Sequence, residues 1–132
     1  MENKIVFDTS AVIALLNREE GFEIVAKRLS DAVISSVNFS EVLTVANRSI
    51  FDTEEEREEG LKLIKNTFPH IINFDSEQSI IAASFDKITK KHGLSLGDRA
   101  CLALAESENL PVLTADKIWE ELEIDVEVKL IR

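Results

Sequence analysis

Apolar residues fall in short dense runs separated by stretches with helical spacing, so the chain reads as strands and helices in alternation. Lys4–Phe7 is short, apolar and partly β-branched, as in a buried strand. Asp8, Thr9 and Ser10 offer three N-cap residues before the helical run AVIALLN. Phe22, Val25, Ala26 and Leu29 repeat with helical spacing, and Ala32–Ser35 (AVIS) reads as a second strand. Asn38-Phe39-Ser40-Glu41 resembles a capping box that opens the helix EVLTVANRSI. A second box, Thr53 to Glu56, opens a helix with Leu61, Leu63, Ile64 and Phe68 apolar, which Pro69 ends. Ile71–Phe74 is a third strand, and Asp75 to Gln78 caps one helix running to about His92, with Gly93 as its stop. The run GLSLGDRACLALAESENLPVLTAD places Asp98 at the start of an apolar helix, a strand at Val112–Leu113, and Asp116 just beyond it. A turn of helix near Ile118–Leu122 and a strand at Val126–Ile131 follow.

The strands are mostly continuous apolar runs rather than alternating ones, and helices separate them. This predicts an α/β domain with a mainly parallel sheet covered by helices on both faces. No repeat, low-complexity tract or linker divides the chain, so residues 1–132 are expected to form a single domain. In such sheets the functional crevice lies outside the carboxyl ends of the strands.

Composition changes this picture in two respects. The single cysteine, Cys101, excludes an internal disulfide and a multi-Cys zinc site, and its place in ACLALA makes it a buried thiol. Asp8 interrupts IVFDTSAVIALL, so the N-terminus reads as neither signal peptide nor membrane span, and cytoplasm is the expected compartment. The net charge of −10 argues against a nucleic-acid partner when taken as a sum. Its distribution softens that objection. Eleven acids fall in two clusters, at Asp52–Glu59 and Glu120–Glu127, leaving 14 acids against 14 of the 15 Lys and Arg elsewhere. A local basic patch is compatible with that balance.

Four acids carry the candidate chemistry. Asp8 follows the first strand, Glu41 falls in the first turn of the helix after the second, Asp98 opens the helix before the fourth, and Asp116 follows that strand. Each has an ordinary structural reading as a cap or an acidic first-turn residue. Together they place four carboxylates at one sheet edge, where like charges repel unless a cation relieves them. A hard divalent ion such as Mg2+ or Mn2+ takes oxygen ligands and needs only a few carboxylates. Such an ion can activate water and stabilise charge on a phosphate, so the implied chemistry is phosphodiester hydrolysis.

The segments IVFDTSAVIALL, VNFSEVL, GLSLGDRACLALA and LPVLTADKIWEEL, in this order, resemble PIN-domain ribonucleases and most closely the VapC toxins of toxin–antitoxin pairs. The resemblance spans nearly the whole chain. It implies a three-layer α/β/α fold with a five-stranded sheet and an acidic pocket for Mg2+ or Mn2+. By position, Asp8 and Asp98 are then the core metal ligands, Asp116 binds directly or through water, and Glu41 orients water or holds a second ion. Ser10 and Thr114 match pocket-lining hydroxyl positions, or serve as turn and cap residues. The resemblance further implies cleavage of RNA, such as a tRNA or a ribosomal loop, leaving a 5′-phosphate. It also implies a homodimer and an antitoxin whose tail enters the pocket.

The charge of −10 departs from what an RNA-cutting protein needs. Lys87, Lys90, Lys91 and His92, with Arg99 beside Asp98, are the candidate phosphate contacts; the run also suits a helix end complementing its dipole, and Arg99 an ion pair. Trp119 reads as packing for the last short helix, with base stacking as the alternative. Val12, Ile13, Leu15, Leu16, Phe22 and Val25 read as core, with a partner groove as the alternative. Two competing functions remain: a receiver-like signalling domain using Asp8, Asp75 and Lys117, and a PIN-like module that binds without catalysis.

Overall fold

A computed structural model describes residues 3–132; the first two residues of the expected domain lie outside it. The strands are β1 (Ile5–Phe7), β2 (Ala32–Ser35), β3 (His70–Ile72), β4 (Val112–Thr114) and β5 (Val128–Leu130). The helices are α1 (Thr9–Asn17), α2 (Phe22–Arg28), α3 (Ser36–Ser49), α4 (Glu54–Thr67), α5 (Ser76–Ser84), α6 (Asp86–Lys90) and α7 (Leu96–Glu108). Short 3-10 turns occupy Leu29–Asp31 and Lys117–Glu121.

The five strands pair in the order β3-β2-β1-β4-β5. Every pairing is parallel, with Val6 beside both Val33 and Val112, and Phe7 beside Leu113. Side chains alternate across the sheet. Ile5, Phe7, Ala32 and Ile34 enter one core with Ala11, Val12, Val25, Val42, Ile64 and Phe68 from α1 to α4 and its C-cap. Val6, Val33 and Val112 enter the other with Cys101, Leu102 and Leu104 of α7, together with Phe85 and Trp119. Helices on both faces make the three-layer α/β/α arrangement expected of the chain. Residues 100–105 of α7 are all buried, because the helix packs on the sheet and against α3 and α5.

Most of the N-terminal apolar residues are core: Val12 and Val25 are buried, and the partly buried Ile13, Leu15 and Leu16 pack against that cluster, while Phe22 is half-buried and outside it. Trp119 is also core, 1% exposed, so the base-stacking alternative fails.

Several boundaries differ from expectation. The helix carrying Glu41 begins at Ser36, because Ser35 at the end of β2 caps it by accepting from Val37 N at 3.2 Å. Asn38 is therefore no N-cap, and Glu41 lies in the second turn rather than the first. The helix expected over Asp75–His92 breaks at Phe85, where the backbone N–H bonds Ala82 O and the Thr89 hydroxyl donates to Phe85 O at 2.8 Å. Phe85, 5% exposed, is turned into the core by this break. β3 stops at Ile72 since the Ser36 hydroxyl, not a neighbouring strand, takes Phe74 N at 3.0 Å.

Candidate active site

The sheet reverses its direction of winding at β1. The chain moves from β1 outward to β2 and β3, then crosses back to β4 on the other side. The crevice between the carboxyl ends of β1 and β4 is the topological switch point, where open α/β sheets bind ligands.

Two strand ends meet there. Asp8 continues β1 and donates its N–H to Leu113 O at 3.1 Å. Its side chain caps α1 by accepting from Ala11 N at 2.8 Å, a consequence of an N-cap carboxylate immediately after a strand. Ser10 donates to both carboxylate oxygens at 2.8 and 2.9 Å, and Thr114 donates to Oδ2 at 2.6 Å. The Ser10 hydroxyl also accepts from Ala115 N at 2.9 Å, and Thr114 Oγ1 accepts from Asp116 N at 3.0 Å. Ser10 and Thr114 thus stitch the end of β1 to the end of β4. Asp116 caps the following 3-10 turn through Ile118 N at 3.1 Å.

Asp98 and Glu41 come from helices beside this crevice. Asp98 completes a reciprocal capping box with Ser95, accepting from Ser95 N at 2.9 Å while Ser95 Oγ accepts from Asp98 N at 3.3 Å. Glu41 is held from α1 and from its own helix: Thr9 Oγ1 donates to its Oε1 at 2.6 Å, and Asn38 Nδ2 donates to the same oxygen at 3.1 Å. Asn38 Nδ2 also lies 3.0 Å from Gly97 O, one residue before Asp98.

Like charge and burial mark the cluster electrically. Burial raises the Asp8 carboxyl from 3.8 to about 6, with the Asp98 charge adding and the bonds from Thr114, Ala11 and Ser10 opposing. Burial also raises Asp98, and the charges of Glu41 and Asp116 push the same way. Among the described residues, no Lys, Arg or His forms an ion pair with any of the four acids; the pairs present are Arg28–Asp31, Lys129–Glu127 and Arg132–Glu19. Arg99 therefore does not pair with Asp98. Burial, with Asp8, Asp98 and Glu41 close by, pushes the Cys101 thiol up, which suits an inert core residue.

The donors are all hard oxygens with a surplus of negative charge, which fits Mg2+ or Mn2+. Asp98 Oδ1, Glu41 Oε2 and Asp116 Oδ2 accept no hydrogen bond from the described residues, so each has an oxygen to give. The acids are not drawn into a closed shell. Among the described residues, no three His, Cys, Asp or Glu side chains stand close enough together to hold an ion as they are. The capping box accounts for part of this, since it turns Asp98 Oδ2 toward its own helix.

Asp75 is elsewhere. It caps α5 through Gln78 N at 2.8 Å, beyond the edge strand β3, which leaves the receiver reading without its acidic constellation. Lys87 and Lys90 lie on α6, and Lys91 caps its end, all exposed. His92 and Arg99 are half-buried. The sequence reading missed Thr9, Asn38 and Gly97 as parts of the site. The Asn38–Glu41 spacing of one helical turn was the available signal, but the cap reading absorbed it.

A sequence profile for the family described as "PIN domain" matches residues 5–124. The chain belongs to the PIN domain family. No curated protein matches it. Solved structures similar to this PIN domain include the DNA-bound VapBC of Salmonella typhimurium, with 18% identity, 98% of each chain covered and a TM-score of 0.75. VapBC2 of Rickettsia felis, bound to a promoter DNA fragment, has 15% identity over 96% of this chain and 97% of its own, with a TM-score of 0.74. VapBC-5 of Mycobacterium tuberculosis has 23% identity, 98% of each chain covered and a TM-score of 0.65. At these identities the likeness is one of fold. Among the described residues no helix is long and apolar enough to cross a membrane.

Proposed function

We propose that this PIN domain, spanning the chain, is an Mg2+- or Mn2+-dependent endoribonuclease and the toxin of a toxin–antitoxin pair. The observation that carries the reading is the set Asp8, Glu41, Asp98 and Asp116 at the switch-point crevice, none of them ion-paired with a Lys, Arg or His among the described residues. The structures it resembles are described as VapBC and toxin–antitoxin complexes, which supports a protein antitoxin as partner.

When bound, the cation supplies a Lewis acid for a phosphate oxygen and lowers the pKa of water. The chain's residues do the rest. Thr114, Ser10 and Ala11 N hold Asp8 rigidly at the end of β1. Asp98 offers Oδ1 from α7, and Asp116 offers Oδ2 from beyond β4. Glu41 orients water, or holds a second ion, from α3. By the likeness to PIN-domain ribonucleases, hydrolysis leaves a 5′-phosphate, and the exposed lysines Lys87, Lys90 and Lys91 meet the RNA backbone, with Arg99 beside Asp98.

The test is cleavage of a structured RNA by purified protein with Mn2+. Asp98→Asn keeps an oxygen for the Ser95 cap, so it is expected to fold while losing roughly a hundredfold or more of the rate. Undiminished cleavage by folded Asp98→Asn would overturn the assignment. A domain that only binds would show no metal-dependent cleavage in either form.

A further inference from the structure

Glu41 is held in a way that an incidental surface acid is not. Its Oε1 receives two hydrogen bonds, from Thr9 Oγ1 at 2.6 Å and Asn38 Nδ2 at 3.1 Å, and its Oε2 receives none from the described residues. Asn38 is 1% exposed, and its buried Oδ1 has no hydrogen-bond partner among the described residues. The amide orientation follows from the neighbours. Nδ2 faces the Glu41 carboxylate, Gly97 O at 3.0 Å and Thr9 Oγ1 at 3.2 Å, and the first two only accept. The chain thus leaves one buried oxygen unsatisfied to aim a donor at Glu41 and at the turn carrying Asp98. The floor of this holder is Gly97: a Cβ there would stand 2.5 and 2.6 Å from the two Glu41 oxygens. Gly97 has no left-handed backbone to explain it. Its missing side chain makes room for the carboxylate.

We propose that Thr9, Asn38 and Gly97 are positioning residues that lock Glu41 by one oxygen and present the other to the cation, an inference that rests on the metal-dependent reading above. Asn38 also ties α3 to the first turn of α7, so it sets Glu41 and Asp98 relative to each other.

Mn2+ affinity, measured by isothermal titration calorimetry without RNA, tests this. Gly97→Ala is the sharpest variant. Alanine favours the helix, which offsets the Thr9 and Asn38 bonds that a displaced Glu41 gives up, so the metal-free protein should melt close to wild type. Its Mn2+ affinity should nevertheless fall roughly 10- to 100-fold, the loss typical of removing a partner that orients a ligand. The near-isosteric Thr9→Val and Asn38→Leu should lose affinity similarly, and Thr9→Ser should stay within about threefold of wild type, because the hydroxyl remains. Unchanged affinity in folded Gly97→Ala and Thr9→Val overturns the proposal, as does a Thr9→Ser loss equal to that of Thr9→Val. Asp98→Asn separates the two levels. If it loses Mn2+ while the Thr9 and Gly97 variants do not, only the holder is wrong. If wild type takes up no Mn2+, the metal-dependent reading and the holder fall together.

Discussion

Asp8 is 3% exposed and accepts bonds from Ala11 N, Ser10 and Thr114, yet its carboxyl is held at about 6. Desolvation outweighs three favourable donors, which shows how far the site disfavours its own ionised form without a cation. The folded value lies above the unfolded 3.8, so the folded state binds the proton more tightly. The associated stability is present below about pH 4 and is lost as pH rises through about 6, amounting to roughly 3 kcal/mol. Asp8→Asn is expected to cap α1 equally well and remove this loss. Urea unfolding of metal-free protein at pH 5 and pH 8 checks it: wild type should weaken at the higher pH more than Asp8→Asn does. At this scale the sequence was informative about Asp8, Asp98 and Asp116 because each sits beside a strand or opens a helix, where local chain order fixes position. It was silent on Thr9, Asn38 and Gly97, since their roles arise only when α1, α3 and α7 meet.

Glycines show how differently elements meet one another. Gly21 precedes α2 with φ +91°, and a Cβ would lie 2.3 Å from Ile131 O, a backbone atom that cannot swing aside. Gly21→Ala is expected to cost roughly 2 to 4 kcal/mol, combining the left-handed conformation with a clash against the chain following β5. A loss below about 0.5 kcal/mol in chemical denaturation would show that the α2 entrance is looser than drawn. At Gly97, by contrast, the nearest atoms belong to the Glu41 carboxylate, the end of a flexible side chain, so the same substitution there should cost far less stability. Element types and order were readable from the sequence because buried strands and capped helices leave strong local patterns. Boundaries were less so, for tertiary reasons. Ser35 ends β2 and caps α3 at once, and Phe85 leaves its helix to enter the core beneath α7. β5 is shorter than the expected Val126–Ile131, since the residues paired in register with β4 run from Val128 to Leu130.

The whole molecule carries −10, yet that charge is distributed by element. Glu54 to Glu56 fill the first turn of α4 behind its Thr53 cap, and the acids from Glu120 to Glu127 run from the end of the 3-10 turn toward β5, both groups exposed. Lys87, Lys90 and Lys91 lie on and just after α6, one short loop before Ser95 and the Asp98 helix. An RNA strand in the crevice would therefore meet positive charge on the α6 side, while the net field slows its approach. This contribution is measurable through salt. Each single-stranded phosphate neutralised adds about −0.7 to the slope of log affinity against log salt. Replacing the three lysines by glutamine is expected to make that slope shallower by about 2 and to weaken binding at low salt, while leaving Mn2+ affinity unchanged because none of them touches the acids. Fluorescence anisotropy of a labelled RNA with Ca2+ in place of Mn2+, across a salt series, measures it. An unchanged slope would place the RNA on another face, whereas a shallower slope with intact Mn2+ binding would separate the surface that holds the strand from the carboxylates proposed to cut it.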